Sequence, residues 1–146
     1  MNSLLDTKYN TEIINRINSL KPESKPVWGK MTSAQMMAHC IEGLRGAFGE
    51  TNLKRTLMGK LFGKMAKKSI MSDKPFKQGL PTDKSFIIKD ERKFEEEKSK
   101  LIGYIKRFNS GSLTKNTHPF FGNMTTDEWD KLMAKHIDHH LRQFGV

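Results

Sequence analysis

The residues best suited to chemistry here are histidines, and three of the five in this 146-residue chain stand in its closing stretch, HIDHHLRQFGV, as His136, His139 and His140. A neutral imidazole carries a lone pair that binds divalent metals, and its charge changes near neutral pH. At about 100° per helical residue with Trp129 at zero, Met133, His136, His140 and Phe144 fall near 40°, 340°, 20° and 60°. Both histidines therefore share one apolar stripe. His139 falls near 280°, at the rim beside Leu132. An i, i+4 pair of imidazoles on one face can bind a single ion, and the same pair also suits core or interface histidines bridged by water.

A third candidate, His39, lies on an earlier helix in the stretch WGKMTSAQMMAHC. It is off the main apolar arc of that helix (Met36, Met37, Cys40, Ile41, Leu44 and Phe48), on the side that carries Gly43 and Gly46, where a neighbouring helix or a bound group can approach closely. A ligand role and a surface role both stay open for it on this pattern. His118, in THPFFG, precedes the last helix, and the expectation is that its ring ties down that loop. Cys40 adjoins His39, but consecutive helical side chains point about 100° apart, so the two do not form a nucleophile and base. Gly-rich phosphate loops, paired-cysteine zinc patterns and Ser-centred nucleophile elbows are missing from the sequence.

The elements that must position these residues read as helices, and strand-like alternation is almost absent, which predicts an all-α domain. A first helix is expected over residues 6–20, where Tyr9, Ile13, Ile17 and Leu20 recur before Lys21-Pro22. A second opens at Thr32, with Gln35 completing a capping box, and runs to about Phe48; the last opens at Thr125 with Glu128 in the same role and runs to about Phe144. Another long helix is expected over residues 90–108, with Phe94, Leu101, Ile105 and Phe108 on one side and Glu95, Glu96, Glu97 and Lys100 largely on the other. Between the second helix and this one lie about forty residues, too many for a tight turn, so the connection must cross the bundle. The fold expected is a four-helix bundle, up-down-down-up, with a long helical crossover between its second and third helices. Within the crossover, residues 53–71 read as an amphipathic helix with Leu57, Leu61, Phe62 and Met65 apolar and Lys60, Lys64, Lys67 and Lys68 basic.

Lys and Arg total 26 against 16 Asp and Glu, a formal charge of +10. That balance suits an anionic partner or substrate without choosing one. One cysteine excludes an internal disulfide and suits a reducing compartment. No leader pattern and no run of about 18 apolar residues appears, so the expectation is a single cytoplasmic domain over residues 1–146 with no membrane span.

Taken together, WGKMTSAQMMAHC, PFKQGLPTDKSF, HPFFGNMTTDEWDKLMAKH and HIDHHLRQFG resemble the DinB-like (DinB/YfiT) metalloenzyme superfamily, in particular a bacterial branch classed as a domain of unknown function. The resemblance covers most of the chain, and its most specific parts are Met-x-x-His in the second helix and His-x-x-x-His near the C-terminus. It implies the same up-down-down-up bundle and a three-histidine site in which His39, His136 and His140 hold a divalent metal ion (Zn, Ni or Fe), with His139 left out. It also implies homodimerisation and a thiol S-transferase using a low-molecular-weight thiol, with hydrolysis the next reading; the basic surface then suits an anionic small molecule as substrate. Glu42, one turn beyond His39, is then a candidate partner of the site.

A reading of a different class is a helical scaffold whose basic face, Lys60 to Lys68, contacts an acidic partner, nucleic acid or a membrane surface. Nucleic acid is disfavoured, because such grooves interleave aromatics with basic residues and Phe62 is expected to be buried.

Overall fold

Side-chain caps begin most of the helices. In the computed structural model, which describes residues 2–113 and 117–146, Asp6 accepts from the Tyr9 amide and opens α1, Thr7–Ser19. Thr32 and Gln35 form a reciprocal capping box ahead of α2, Ser33–Ala47, and Thr125 and Glu128 do the same for α5, Thr126–Gln143. Each box satisfies two backbone amides that a helix start leaves free. Thr56 caps α3, Leu57–Ile70, within the crossover.

The third bundle helix, α4, runs Phe94–Lys106 and so starts four residues later than residue 90. The cause is local: Gln35 Nε2 donates to the carbonyls of Lys89 and Asp90 at 3.4 and 3.1 Å, drawing those groups out of a helical ladder. The three glutamates of its first turn complement the helix dipole. Glu97, expected with the polar side, is instead buried, with Arg92 Nη1 3.7 Å and Lys100 Nζ 3.5 Å from its carboxylate.

Side-chain contacts fix the directions of the four bundle helices. Ser3 and Leu4 meet Asp130 near the start of α5, and Arg16 meets Asp138 and the carbonyl of Val146 near its end, so α1 and α5 are parallel. Asn10 bonds the Ile105 carbonyl and Lys98 that of Asn18, so α1 and α4 are antiparallel. Gln35 reaches the start of α4, while the Phe48 ring packs against Tyr104 and edge-to-face with Phe108 at its end, so α2 and α4 are parallel. His39 meets His136 and Gly46 faces Trp129, so α2 and α5 are antiparallel. The order is up-down-down-up, as expected from the long crossover. Ile13, Ile17, Met36, Met37, Leu44, Leu101, Ile105 and Ile137 fill the shared core, each contributing about 1.5–3 kcal/mol by burial.

The crossover holds α3, then a short 3-10 turn, Lys84–Phe86, that packs on α2. A two-residue hairpin, β1 (Thr117–His118) and β2 (Gly122–Asn123), precedes α5, with Thr117 opposite Asn123. Its Gly122 has φ +79°, which a residue with a Cβ adopts only at a cost.

Helix α3 reverses the orientation expected of it. Its buried face is Gly59 and Gly63, seated on the turn at Pro119 and Phe120. A Cβ at Gly59 would come within 2.6 Å of the Phe120 carbonyl oxygen, and one at Gly63 would overlap that atom. Phe62, expected to be buried, is exposed, as are Leu57, Met58, Leu61 and Met65. The backbone can come so close only where side chains are absent, so the glycines, not the bulky residues, face the protein. Among the described residues no helix is long and apolar enough to cross a membrane.

Candidate metal centre

Helices α2 and α5 cross where α2 has no large side chains. A Cβ on Gly43 would lie 3.3 Å from His136 Nδ1, and one on Gly46 would lie 3.8 Å from the Trp129 ring. These small residues let α5 settle against α2, which brings His39 to the two histidines of α5. The rings of His39, His136 and His140 have centroids 4.7 to 4.8 Å apart and stand at 70° to 86° to one another. One ring nitrogen from each lies within 4.8 Å of the other two. The sequence named these three residues, and the fold brings all three together.

Hydrogen bonds assign the proton on two of the rings. His39 Nδ1 lies 2.7 Å from the Phe86 carbonyl; a carbonyl only accepts, so Nδ1 carries the proton and Nε2 keeps its lone pair. His140 Nδ1 lies 2.8 Å from Gln143 Oε1, and Gln143 Nε2 donates to the Trp28 carbonyl at 2.8 Å. The second bond fixes which end of the amide is nitrogen, so Oε1 accepts from His140 and leaves Nε2 of His140 with its lone pair. Both rings are thus locked in the tautomer that a metal-ligating histidine adopts.

His136 differs. Its Nε2 is 2.8 Å from His39 Nε2, and since that atom of His39 has no proton to give, His136 donates. Its Nδ1 is buried with no hydrogen-bond partner. Only the bond to His39 Nε2 favours this tautomer, and no partner on Nδ1 adds to it. Moving its proton to Nδ1 would turn a third lone pair toward the other two, an arrangement stable only around a cation. The donor set, three imidazoles with ring nitrogens this close, fits a divalent ion of the kind imidazole favours.

Burial favours the neutral form of all three rings, the form in which an imidazole can bind a metal. Desolvation pushes His140 down to about 3, helped by His39 and partly offset by Gln143. Desolvation also lowers His39, against the opposing pull of the Phe86 carbonyl and Glu42. His136 is lowered well below its ordinary value, first by burial and then by the neighbouring histidines.

The remaining candidates separate from this cluster. His139 packs between Trp28 and Phe76, with ring centroids at 5.5 and 5.9 Å, and its ring lies 5.2 Å from that of His140 without joining the group of three. His118 Nδ1 accepts from the amides of Phe120 and Phe121 at 3.1 and 3.2 Å, and its ring stacks on Phe121, so it ties the hairpin down. Glu42, a candidate partner of the site, pairs with Arg45 at 2.9 Å, and His39 Nδ1 bonds the Phe86 carbonyl. Cys40 is fully buried, and burial raises its thiol far above the usual range, which removes it as a nucleophile.

Two partners were not named from the sequence. Gln143 is three residues beyond His140, a spacing that places both on one helix face, so that signal was available. The Phe86 carbonyl is backbone and has no signature in the sequence.

A family model described as a protein of unknown function (DUF1569) matches residues 1–145. The chain belongs to this family. No curated protein and no solved structure matches the chain. For a DUF1569 member, then, function has to be argued from the three histidines themselves.

Proposed function

We propose that His39, His136 and His140 hold one divalent metal ion and that the protein is a metal-dependent enzyme of the DinB-like kind, a thiol S-transferase or, next, a hydrolase. The observation that carries this reading is the convergence of three imidazoles, buried or partly buried, two of them with Nδ1 held so that Nε2 faces the cluster. Three protein ligands are one fewer than a closed structural zinc site uses. An ion held there supplies Lewis acidity, enough to bring water or a thiol to its nucleophilic form at neutral pH.

The chain's own part is positional. Phe86 and Gln143 aim two rings, Gly43 makes room for the third, and burial strips the rings of competing protons. The net charge of +10 favours an anionic substrate or thiol at the surface. The resemblance in WGKMTSAQMMAHC and HIDHHLRQFG supports the transferase class and a homodimer.

The test is metal analysis of protein purified without a nickel column. About one equivalent of metal is expected, or a gain in thermal stability on adding Zn, Ni, Mn or Fe salts, since a ligand that binds only the folded state stabilises it. His136→Ala should lose both and His139→Ala should keep both. Protein with no metal and no response to any of these salts would sink the proposal. Metal-loaded protein is then assayed for consumption of low-molecular-weight thiols in the presence of electrophiles, and for ester and amide hydrolysis.

A further inference from the structure

Helix α3 presents a surface that the metal site does not use. Leu57, Met58, Leu61, Phe62 and Met65 are each between 46 and 73 % exposed. On a wheel with Leu57 at zero they span an arc from 0° to about 140°, opposite the docked glycines at about 200° and 240°. The apolar face therefore points directly away from the protein. Lys60, Lys64 and Lys68 run along one rim of it, at about 300° to 20°, and none of the three has an ion pair among the described residues. No Asp or Glu occurs from residue 51 to residue 72.

We propose that this face of α3 docks the protein on an anionic lipid bilayer. The apolar arc enters the boundary between headgroups and acyl chains, and the lysine rim lies on the lipid phosphates. A helix with a continuous apolar face and a lysine-rich flank is the form that lies in a membrane interface. Other occupants fit less well. A second copy meeting this face antiparallel would set lysine rim against lysine rim, on a chain already carrying +10. A groove that wraps a basic helix needs more than one free side, and the Gly59–Gly63 side is seated on Phe120. Nucleic acid would leave an aliphatic arc with a single aromatic, Phe62, against the phosphates. A bilayer is flat, anionic and apolar beneath, which matches the one face available.

The experiment is co-sedimentation of the 146-residue chain with vesicles of phosphatidylcholine alone or mixed with phosphatidylglycerol. Binding is expected only to the mixed vesicles and should weaken as salt is raised. Replacing Lys60, Lys64 and Lys68 together by Ala should weaken it on the order of 100-fold, and Leu61→Gln with Phe62→Gln by a similar factor. A separate measurement needs no disabled variant. An environment-sensitive dye on Met58→Cys should shift its emission to the blue on mixed vesicles, while the same dye on Glu12→Cys, on α1, should not. Equal binding to neutral vesicles, undiminished binding by the triple-lysine variant, sedimentation without a shift at position 58, or binding to duplex DNA or self-association in place of vesicle binding would each overturn the proposal. Metal content does not enter this test, so it stands or falls apart from the metal site.

Discussion

The side chain of Gln143 stands between His140 and the loop before α2: it accepts from His140 Nδ1 at 2.8 Å and donates to the Trp28 carbonyl at 2.8 Å. Its backbone carbonyl also accepts from the Val27 amide at 2.7 Å. One residue thereby orients a ring of the cluster and pins the loop that covers the end of α5. Gly29 has φ +82°, and a Cβ there would lie 2.6 Å from Gln143 Nε2, so the loop approaches this amide as closely as a glycine allows. Removing the amide should affect both ends of the relay. Gln143→Ala is expected to lower metal affinity about 10- to 100-fold, as loss of a partner that orients a ligand generally does, and to lower thermal stability. Gln143→Glu keeps an acceptor for His140 but loses the donor to Trp28. It should retain most of the affinity while still lowering stability. Calorimetric titration with zinc, beside a melting curve, reads the two effects separately; equal affinity in the wild type and Gln143→Ala would refute the orienting role.

Gly43 offers a test in which the two readouts move in opposite directions. Alanine is favoured over glycine in a helix by about 0.8–1.0 kcal/mol, so Gly43→Ala should not destabilise α2 itself. Its Cβ, however, would sit 3.3 Å from His136 Nδ1 and 3.5 Å from Met133 Sδ, which displaces the His136 ring by a few tenths of an ångström. Stability should hold or rise slightly, while metal affinity should fall about tenfold. Unchanged affinity would mean that the His136 ring has slack the packing does not suggest.

How much of this was legible in the sequence depended on whether the deciding contact lay within one helix or between two. His136 and His140 could be paired from a single helical period, and the boxes at Thr32 and Thr125 could be read because each closes within four residues. His39 was ambiguous because α2 buries two faces: its apolar arc meets α4, and its glycine side meets α5. One stripe on a wheel cannot describe both. Phe86 was invisible because its contribution is a main-chain carbonyl delivered by the crossover. For α3 the periodicity correctly grouped Leu57, Leu61, Phe62 and Met65, yet gave the wrong side to the interior. Which face of an amphipathic helix is inside is set by its partner, and here the turn at Phe120 accepts only glycine.

The N-terminal segment hangs on one carboxylate. Asp130, buried on α5, accepts from Ser3 Oγ at 2.6 Å and from the amides of Leu4 and Leu5 at 2.8 and 3.3 Å. Leu4 is itself fully buried in the core. Asp130→Ala should cost about 1.5–3 kcal/mol, the range for hydrogen bonds to a charged group, since it leaves the buried Leu4 amide unpaired. Asp130→Asn keeps an acceptor and should cost less. Urea unfolding gives both numbers, and rapid hydrogen exchange at Leu4 in the alanine variant alone would place the loss at this contact. Equal stability of the alanine variant and the wild type would show that the segment is held by Leu4 packing instead.

Acid should unfold the metal-free protein through its histidines. His118 is pushed down to about 4 by burial, despite Asp83, and His140 to about 3, from an ordinary value of 6.5. A group whose pKa is lower folded than unfolded is more often protonated in the unfolded chain at intermediate pH, so unfolding takes up protons there. Stability from these groups is therefore complete above pH 6.5 and declines steadily as pH falls toward about 4 and then about 3. His39 and His136, lowered in the same direction, add to the slope. Urea unfolding of chelator-treated protein across this range should show a flat region above the ordinary histidine value and a fall below it. Because burial lowers all three cluster rings below that value, zinc should still bind the folded protein at mildly acidic pH. A stability profile that is flat from neutral pH down to about 4, or that rises on acidification, would contradict the burial of these four rings in neutral form.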